Sequence, residues 1–289
     1  MENNDYIRTV PKVSIVMPVY FNREQHGKYG EHESFWFANK CLQRLMMETP
    51  RELYELIIID NGSNLLTSDL IESFESGKYA GIKECVYKEN RIMIDGTVED
   101  YFGAADILVT NYRNLGFAPA CNQGFQLTRG EYVLCINNDI LVWSSWLETM
   151  IKDYETCKKL KPEVGALMPA LMRETRDARE AIAMGKIDIT SNRDKFGAGA
   201  EFGSLWMTKT ATLKLLKSMD GYVFDENFKV GFGEDRDLWK RMRKIGLETY
   251  RTHNTRVFHQ GNMTMGKIEN RKDYTIPNRE YLAKKWDNN

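Results

Sequence analysis

The fold turns on one stretch, Tyr132-Val133-Leu134-Cys135-Ile136-Asn137-Asn138-Asp139. Its unbroken apolar run from Tyr132 to Ile136 suits a strand buried on both faces, as in a parallel sheet. The run then stops at polar residues, so the strand ends in a polar corner. Val13 to Val19 and Leu56 to Ile59 are runs of the same kind, and Ile82 to Tyr87 and Ile107 to Val109 read as further strands. Apolar-periodic segments from Ser34 to Met47 and from Ala118 to Thr128 read as helices, and a further helix is predicted from Asp69 to Ser76. Strands that alternate with helices imply βαβ units, hence an α/β fold with a mainly parallel central sheet flanked by helices.

Beyond residue 140 the pattern is less regular. Helices are predicted at Ser145 to Lys158, Thr210 to Met219 and Glu234 to Ile245. Strands are predicted at Val164 to Met168, Glu248 to Arg251 and Arg256 to Phe258. Residues 173–200 are charged and then glycine-rich, and read as a mobile loop. The whole chain, 1–289, reads as a single domain with a first lobe at 12–140, a second at 141–265 and a C-terminal tail at 266–289.

Composition narrows the function. With 289 residues and 42% hydrophobic content the chain can bury a core without disulfide or metal staples. Forty Lys and Arg against 41 Asp and Glu leave a net charge of −1, which excludes a generic coat for nucleic-acid phosphates. The five cysteines are odd in number and form no CxxC, which suits buried free thiols in a reducing compartment. The opening MENNDYIRTV has no basic-then-apolar pattern, and no apolar run approaches the roughly 20 residues that span a bilayer. A cytoplasmic location is expected, with peripheral attachment to a membrane left open.

Open α/β sheets bind ligands at the carboxyl ends of their strands. The polar clusters at those ends are Asp60-Asn61-Gly62-Ser63, Asn114 to Asn122, and Asn137-Asn138-Asp139. The turn after the first strand, Pro18-Val19-Tyr20-Phe21-Asn22, contains no glycine, against the dinucleotide-binding fingerprint. No GxxxxGK[ST] phosphate loop and no GxSxG elbow occurs.

Several of these residues carry two readings. Asp139 suits either a turn or a hard divalent cation that shares its other positions with water and substrate phosphates. His259, which ends a short strand, is either satisfied by backbone or a second ligand for that ion. Asp60 either caps the next element or bonds the base or ribose edge of a ligand. Asn114, Gly116 and Asn122 serve equally as turn and helix-start chemistry. The acids of Glu234-Asp235-Arg236-Asp237 compensate a helix dipole. At about 100° per residue, however, Asp235 shares the arc of Leu238, Trp239, Met242 and Ile245, while Asp237 points nearly opposite. That predicts Asp235 facing a cleft or buried polar site, with a pKa raised by burial and by Glu234, as a candidate general base.

Taken in order, the motifs resemble those of a family 2 glycosyltransferase of the GT-A fold. They are Val13 to Tyr20, Ile58-Ile59-Asp60-Asn61-Gly62-Ser63, Asn114-Leu115-Gly116-Phe117-Ala118 with Asn122-Gln123-Gly124, Leu134 to Asp139, Gly231 to Leu238, and Val257-Phe258-His259. The resemblance implies a Rossmann-like domain with a less regular, acceptor-binding second lobe. It also implies an inverting transferase that uses a nucleoside-diphosphate sugar and Mn²⁺ or Mg²⁺. Pro18, Tyr20, Asp60, Asn61, Asn114, Gly116, Asn122, Asn137 and Asn138 would then line the nucleotide-sugar pocket. Asp139 and His259 would hold the metal, Asp235 would act as base, and Glu234 would position the acceptor. The triplet departs from the family in having Asn137 where a carboxylate would stand, and the loops at 22–33 and 90–105 look long.

The acceptor this implies is a hydroxyl of a glycan or lipid-linked molecule, without the membrane segment of a processive synthase. Two other readings stand beside it. One is a transferase acting on a nucleic-acid base, with Lys158, Lys159 and Lys161, or Arg236, Lys240, Arg241, Arg243 and Lys244, against the phosphates. The other is a non-catalytic nucleotide-sugar binder.

Overall fold

The computed structural model describes residues 10–21, 33–63, 82–87, 105–172, 203–261 and 270–287. The helix expected at 69–76, the loop at 173–200, and nearly all of the loops at 22–33 and 90–105 lie outside them.

The strands are β1 (Val13–Val19), β2 (Tyr54–Asp60), β3 (Ile82–Tyr87), β4 (Ile107–Asn111), β5 (Tyr132–Ile136), β6 (Ile140–Leu141), β7 (Val164–Met172), β8 (Leu205–Lys209) and β9 (Glu248–His259). The helices are α1 (Glu33–Glu48), α2 (Phe117–Gln126), α3 (Trp146–Leu160), α4 (Thr210–Asp220), α5 (Glu234–Lys244) and α6 (Lys272–Asp287). The strands form one sheet of order β3-β4-β2-β1-β5-β8-β7-β9-β6. The pairs β1–β2, β1–β5 and β2–β4 are parallel, as the apolar runs predict. The complete sheet is mixed, because β3, β6 and β8 run antiparallel to their neighbours.

The apolar runs are continuous because both faces of the sheet are covered. Successive strand residues point to opposite sides. Ile15, Met17, Leu56, Ile58, Leu134 and Ile136 pack with Leu42 and Leu45 of α1 and with Trp146, Leu147 and Met150 of α3. Val16, Ile57, Ile59, Val133 and Cys135 pack on the other side with Cys121 and Phe125 of α2, Leu213 of α4, and Leu238 and Trp239 of α5. Helix α2 lies so close to β1 that a Cβ on Gly124 would sit 2.4 Å from Val16 Cγ1. Cys41, Cys121, Cys135 and Cys157 are buried free thiols, and burial pushes the Cys157 thiol up to about 11. Such thiols are unreactive.

Three elements escape the sequence reading. β6 is only two residues long. β8, Leu-Trp-Met-Thr-Lys, contains residues at home in helices and has no clear alternation. Helix α6 has a weakly amphipathic sequence with Pro277 inside it. The two strands predicted at 248–251 and 256–258 are one strand, in which Pro169↔Thr252 and Ala170↔Arg256 bracket a three-residue bulge.

Candidate active site

The carboxyl ends of β1, β2, β4 and β5 form one edge, and the candidate residues of the first lobe gather there. Asp60 is fully buried at the end of β2, and its Oδ1 accepts the Ser63 N–H at 2.9 Å. Gly62 turns the chain with φ +81°, and a Cβ there would lie 2.4 Å from the Arg113 backbone. Only glycine fits this turn against the next polar segment. Pro18 is half-buried in β1 opposite Ile59, and Tyr20 is half-buried just past the strand.

Asn61 ties the edge together. Its Nδ2 donates to Asn114 Oδ1 at 2.9 Å and to the Gly116 carbonyl at 3.0 Å. Its Oδ1 accepts from Asn111 Nδ2 and from the Leu115 N–H, each at 3.1 Å. Asn111, which the sequence reading did not single out, and Gln123 exchange a reciprocal amide pair at 2.8 and 3.0 Å. Asn122 is committed elsewhere. It donates to the Phe224 carbonyl at 2.8 Å and to Glu226 Oε1 at 2.9 Å, and accepts the Phe224 N–H at 2.9 Å. Asn61 and Asn122 therefore spend their amides on backbone and side-chain partners within the fold, since a buried amide must be satisfied.

At the end of β5, the Asn137 N–H donates to the Ser204 carbonyl at 2.8 Å, while Asn137 Oδ1 is buried without a hydrogen bond among the described residues. Asn138 and Asp139 are buried in the turn into β6. β6 pairs with β9 so that Ile140 faces His259. This brings His259 Nε2 to 3.2 Å from Asp139 Oδ1, across 120 residues of sequence. Asp139 Oδ2 accepts the Gly261 N–H at 3.0 Å. Oδ1 is buried, and its approach to His259 lacks hydrogen-bond alignment. A carboxylate oxygen and an imidazole nitrogen side by side suit a divalent ion that takes its other ligands from phosphate and water. Among the described residues no group of three or more His, Cys, Asp or Glu forms a cage of its own.

The acids of α5 divide differently from the helical-wheel expectation. Asp235 is half-buried, and its carboxylate abuts Gly203, where a Cβ would lie 2.9 Å from Oδ2. Gly203 precedes Ser204, the residue bonded to Asn137, so Asp235 stands beside the Asn137–Asp139 turn. Glu234 is buried, with Oε2 lacking a hydrogen bond among the described residues. Burial, reinforced by the neighbouring Asp235 charge, pushes its carboxyl well above the ordinary range, to about 8.

Asp237 corrects the wheel. It is 0% exposed, although it points away from the apolar arc. It accepts from Arg241 Nε at 2.8 Å, Lys285 Nζ at 2.8 Å and Trp286 Nε1 at 2.9 Å. A wheel scores apolar burial only; here α6 covers the second face with complementary charge. Arg241 also bonds the Val223 carbonyl and Asp220, and Arg243 pairs with Glu248 at 3.3 Å. Two cations of the basic run on α5 are thus engaged within the fold.

Residues 37–160 match the family model described as Glycosyl transferase family 2. No curated protein matches the chain. Among solved structures, it is similar to TarS 1-349 from S. aureus, with TM-score 0.51 and 15% identity over 86% of this chain and 60% of that one. It is similar to GalNAc-T7 with UDP, GalNAc and Mn²⁺, with TM-score 0.58 and 14% identity over 96% of this chain and 48% of that one. It is also similar to the mannosyltransferase PcManGT from Pyrobaculum calidifontis in complex with GDP-Man and Mn²⁺, with TM-score 0.51 and 17% identity over 86% and 56%. The chain spans about half to three fifths of the length of these proteins. The fold is that of the GT-A glycosyltransferases.

Proposed function

We propose that this chain, which carries a family 2 glycosyltransferase region on a GT-A fold, is an inverting transferase. It moves one sugar from a nucleoside-diphosphate sugar to a hydroxyl of a glycan or lipid-linked acceptor. The approach of His259 to Asp139, from 120 residues apart in the sequence, carries this reading. Complexes of similar proteins with UDP or GDP-Man and Mn²⁺ support it. Asp139 and His259 would hold Mn²⁺ or Mg²⁺ on the donor diphosphate. When bound, that ion stabilises the charge that develops on the leaving diphosphate.

The remaining work falls to this chain's own residues. Asp60 and the Asn114–Gly116 turn, fixed by Asn61, face the nucleoside. Pro18 of β1 and Tyr20 just past it flank the nucleoside, and Asn137 and Asn138 line the sugar-diphosphate side. Asn122 acts at one remove, by fixing the loop at 224–226. Asp235 takes the proton from the acceptor hydroxyl as its oxygen attacks the anomeric carbon and the bond to the diphosphate breaks. Glu234, whose carboxyl is pushed up to about 8 by burial and by the neighbouring Asp235, helps to position the acceptor. A single base suffices for displacement with inversion.

A nucleic-acid acceptor is less well supported, because Arg241 and Arg243 are spent on internal ion pairs. No helix of the described residues is long and apolar enough to cross a membrane. The buried free thiols support a reducing, cytoplasmic setting.

The deciding experiment is a calorimetric panel of UDP, GDP, dTDP and CDP, each with and without Mn²⁺. Metal-enhanced binding of one of them is expected. Absence of binding by all four overturns the transferase reading.

A further inference from the structure

The backbone leading into the Glu234-Asp235 pair is held in an unfavourable form. Val230 has φ +65° and Phe232 has φ +77°. Positive φ is costly for any residue with a Cβ, most of all a β-branched one. Such conformations persist only where the surroundings over-determine them. The same backbone touches the donor side of the site, where the Phe117 N–H donates to the Val230 carbonyl at 3.0 Å. A Cβ on Gly116 would lie 3.2 Å from Val230 N.

Asn278 of α6 holds this segment. It is 3% exposed, and among the described residues its side chain bonds the segment's backbone alone. Nδ2 donates to the Lys229 carbonyl at 2.9 Å and the Gly231 carbonyl at 2.7 Å, while Oδ1 accepts the Lys229 N–H at 3.1 Å. These three bonds bracket Val230. Further along the same helix face, Tyr281 packs edge-on against Phe228 at 5.1 Å and Lys285 bonds Asp225 and Asp237. Arg271, just before α6, lies over the Phe232 ring at 4.5 Å.

We infer that Asn278 is a positioning residue: it clamps Lys229–Gly231 so that the strained Val230 backbone presents Glu234 and Asp235 to the donor edge. The inference rests on the proposed transferase reading for its catalytic consequence, but not for the clamp itself. Without Asn278 the segment relaxes towards ordinary φ values, and the carboxylates lose their aim. The metal-site turn, held by β5, β6 and β9, is untouched.

The test compares wild type, Asn278→Ala, Asn278→Asp, Val230→Gly and the double variant Val230→Gly with Asn278→Ala. Asn278→Asp keeps the acceptor and the volume but loses both N–H donors, and serves if the alanine variant does not fold. The first readout is amide hydrogen exchange over residues 229–236, with β1 and β5 as internal controls. The second is release of nucleoside diphosphate from nucleotide sugars, with water as acceptor. Loss of Asn278 is expected to speed exchange over 229–236 by about tenfold or more, with the controls unchanged. It is expected to lower kcat by about tenfold while KM for the donor stays within about twofold. Glycine adopts positive φ without penalty, so Val230→Gly recovers part of the lost kcat.

Unchanged exchange overturns the clamp. Faster exchange with unchanged kcat overturns its link to the carboxylates. Strictly additive effects of the two substitutions reduce Asn278 to packing and also overturn the proposal. A wild-type protein that releases no nucleoside diphosphate from any nucleotide sugar defeats the transferase reading instead, and the exchange comparison alone then upholds or overturns the clamp.

Discussion

In the first lobe, candidate residues stand where buried parallel strands stop: Asp60 at the end of β2, Asn111 at the end of β4, Asn137 just past β5. In the second, each is placed by something remote. His259 is set by pairing with β6, Asp235 by the wall at Gly203, and the approach to Glu234 by Asn278 of α6. The first lobe holds its polar edge at strand ends tied by amide links; the second holds its residues against β6, the loop at Gly203 and α6. The family match divides in the same way. It covers 37–160, which includes Asp60 and Asp139 but not Asp235 or His259. Substitutions in the first lobe are therefore expected to damage donor binding, and those in the second to damage turnover while donor binding survives.

The sharpest break of that division is Asp235→Asn. Release of nucleoside diphosphate is expected to fall by about 10²–10⁴-fold, with metal-dependent nucleotide binding retained. Equal loss of both would erase the distinction between the lobes. Asp139→Ala combined with His259→Ala spans both lobes. Calorimetry should show the strengthening by Mn²⁺ disappearing, a loss of about 10–100-fold in affinity with metal. Undiminished enhancement would sink the metal assignment.

Lys285→Met tests the remote bracing. It strips a cation from two buried carboxylates, Asp225 and Asp237. Urea unfolding should show a loss of about 2–4 kcal/mol, the lower end reflecting the partial exposure of the lysine. A negligible loss would mean that α6 is dispensable.

Glu234 gives a pH signature. Its folded pKa, about 8, lies above the ordinary 4.5, so the native state holds the extra proton. That stability is fully present below the ordinary value and is lost as pH rises through about 8. Melts from acid to mildly alkaline pH should show a decline on the order of 2 kcal/mol, flattened in Glu234→Gln. An identical slope in the variant would show that Glu234 is already ionised. The smallest effect belongs to Gly203→Ala, whose Cβ must displace Asp235. Turnover should fall by about 3–10-fold with donor binding unchanged, and full activity would remove Asp235 from that wall.

Legibility followed the same line. β1 and β5 were readable to the residue because a strand buried on both faces writes itself as a continuous apolar run. Asp60, Asn114 and Asp139 were readable as candidates because strand ends are where such sheets expose polar side chains. The burial of Asp237 was misread because the wheel could not include α6, whose own pattern is faint. Gly203 carried no local signal, being one glycine among several. Neither did Asn278, an ordinary asparagine in a polar stretch.

By itself, then, the sequence determined the parallel heart of the sheet, the edge at which ligands gather, and the residue types available there. Those properties depend on hydrophobic period and turn chemistry, which act over a few residues. Only the tertiary structure decided which of those residues meet. The approach of Asp139 to His259, the seat of Asp235 against Gly203 and the grip of Asn278 on a strained backbone all join segments far apart in the chain. Nothing in a local pattern records such contacts, because their geometry exists only once the chain has folded.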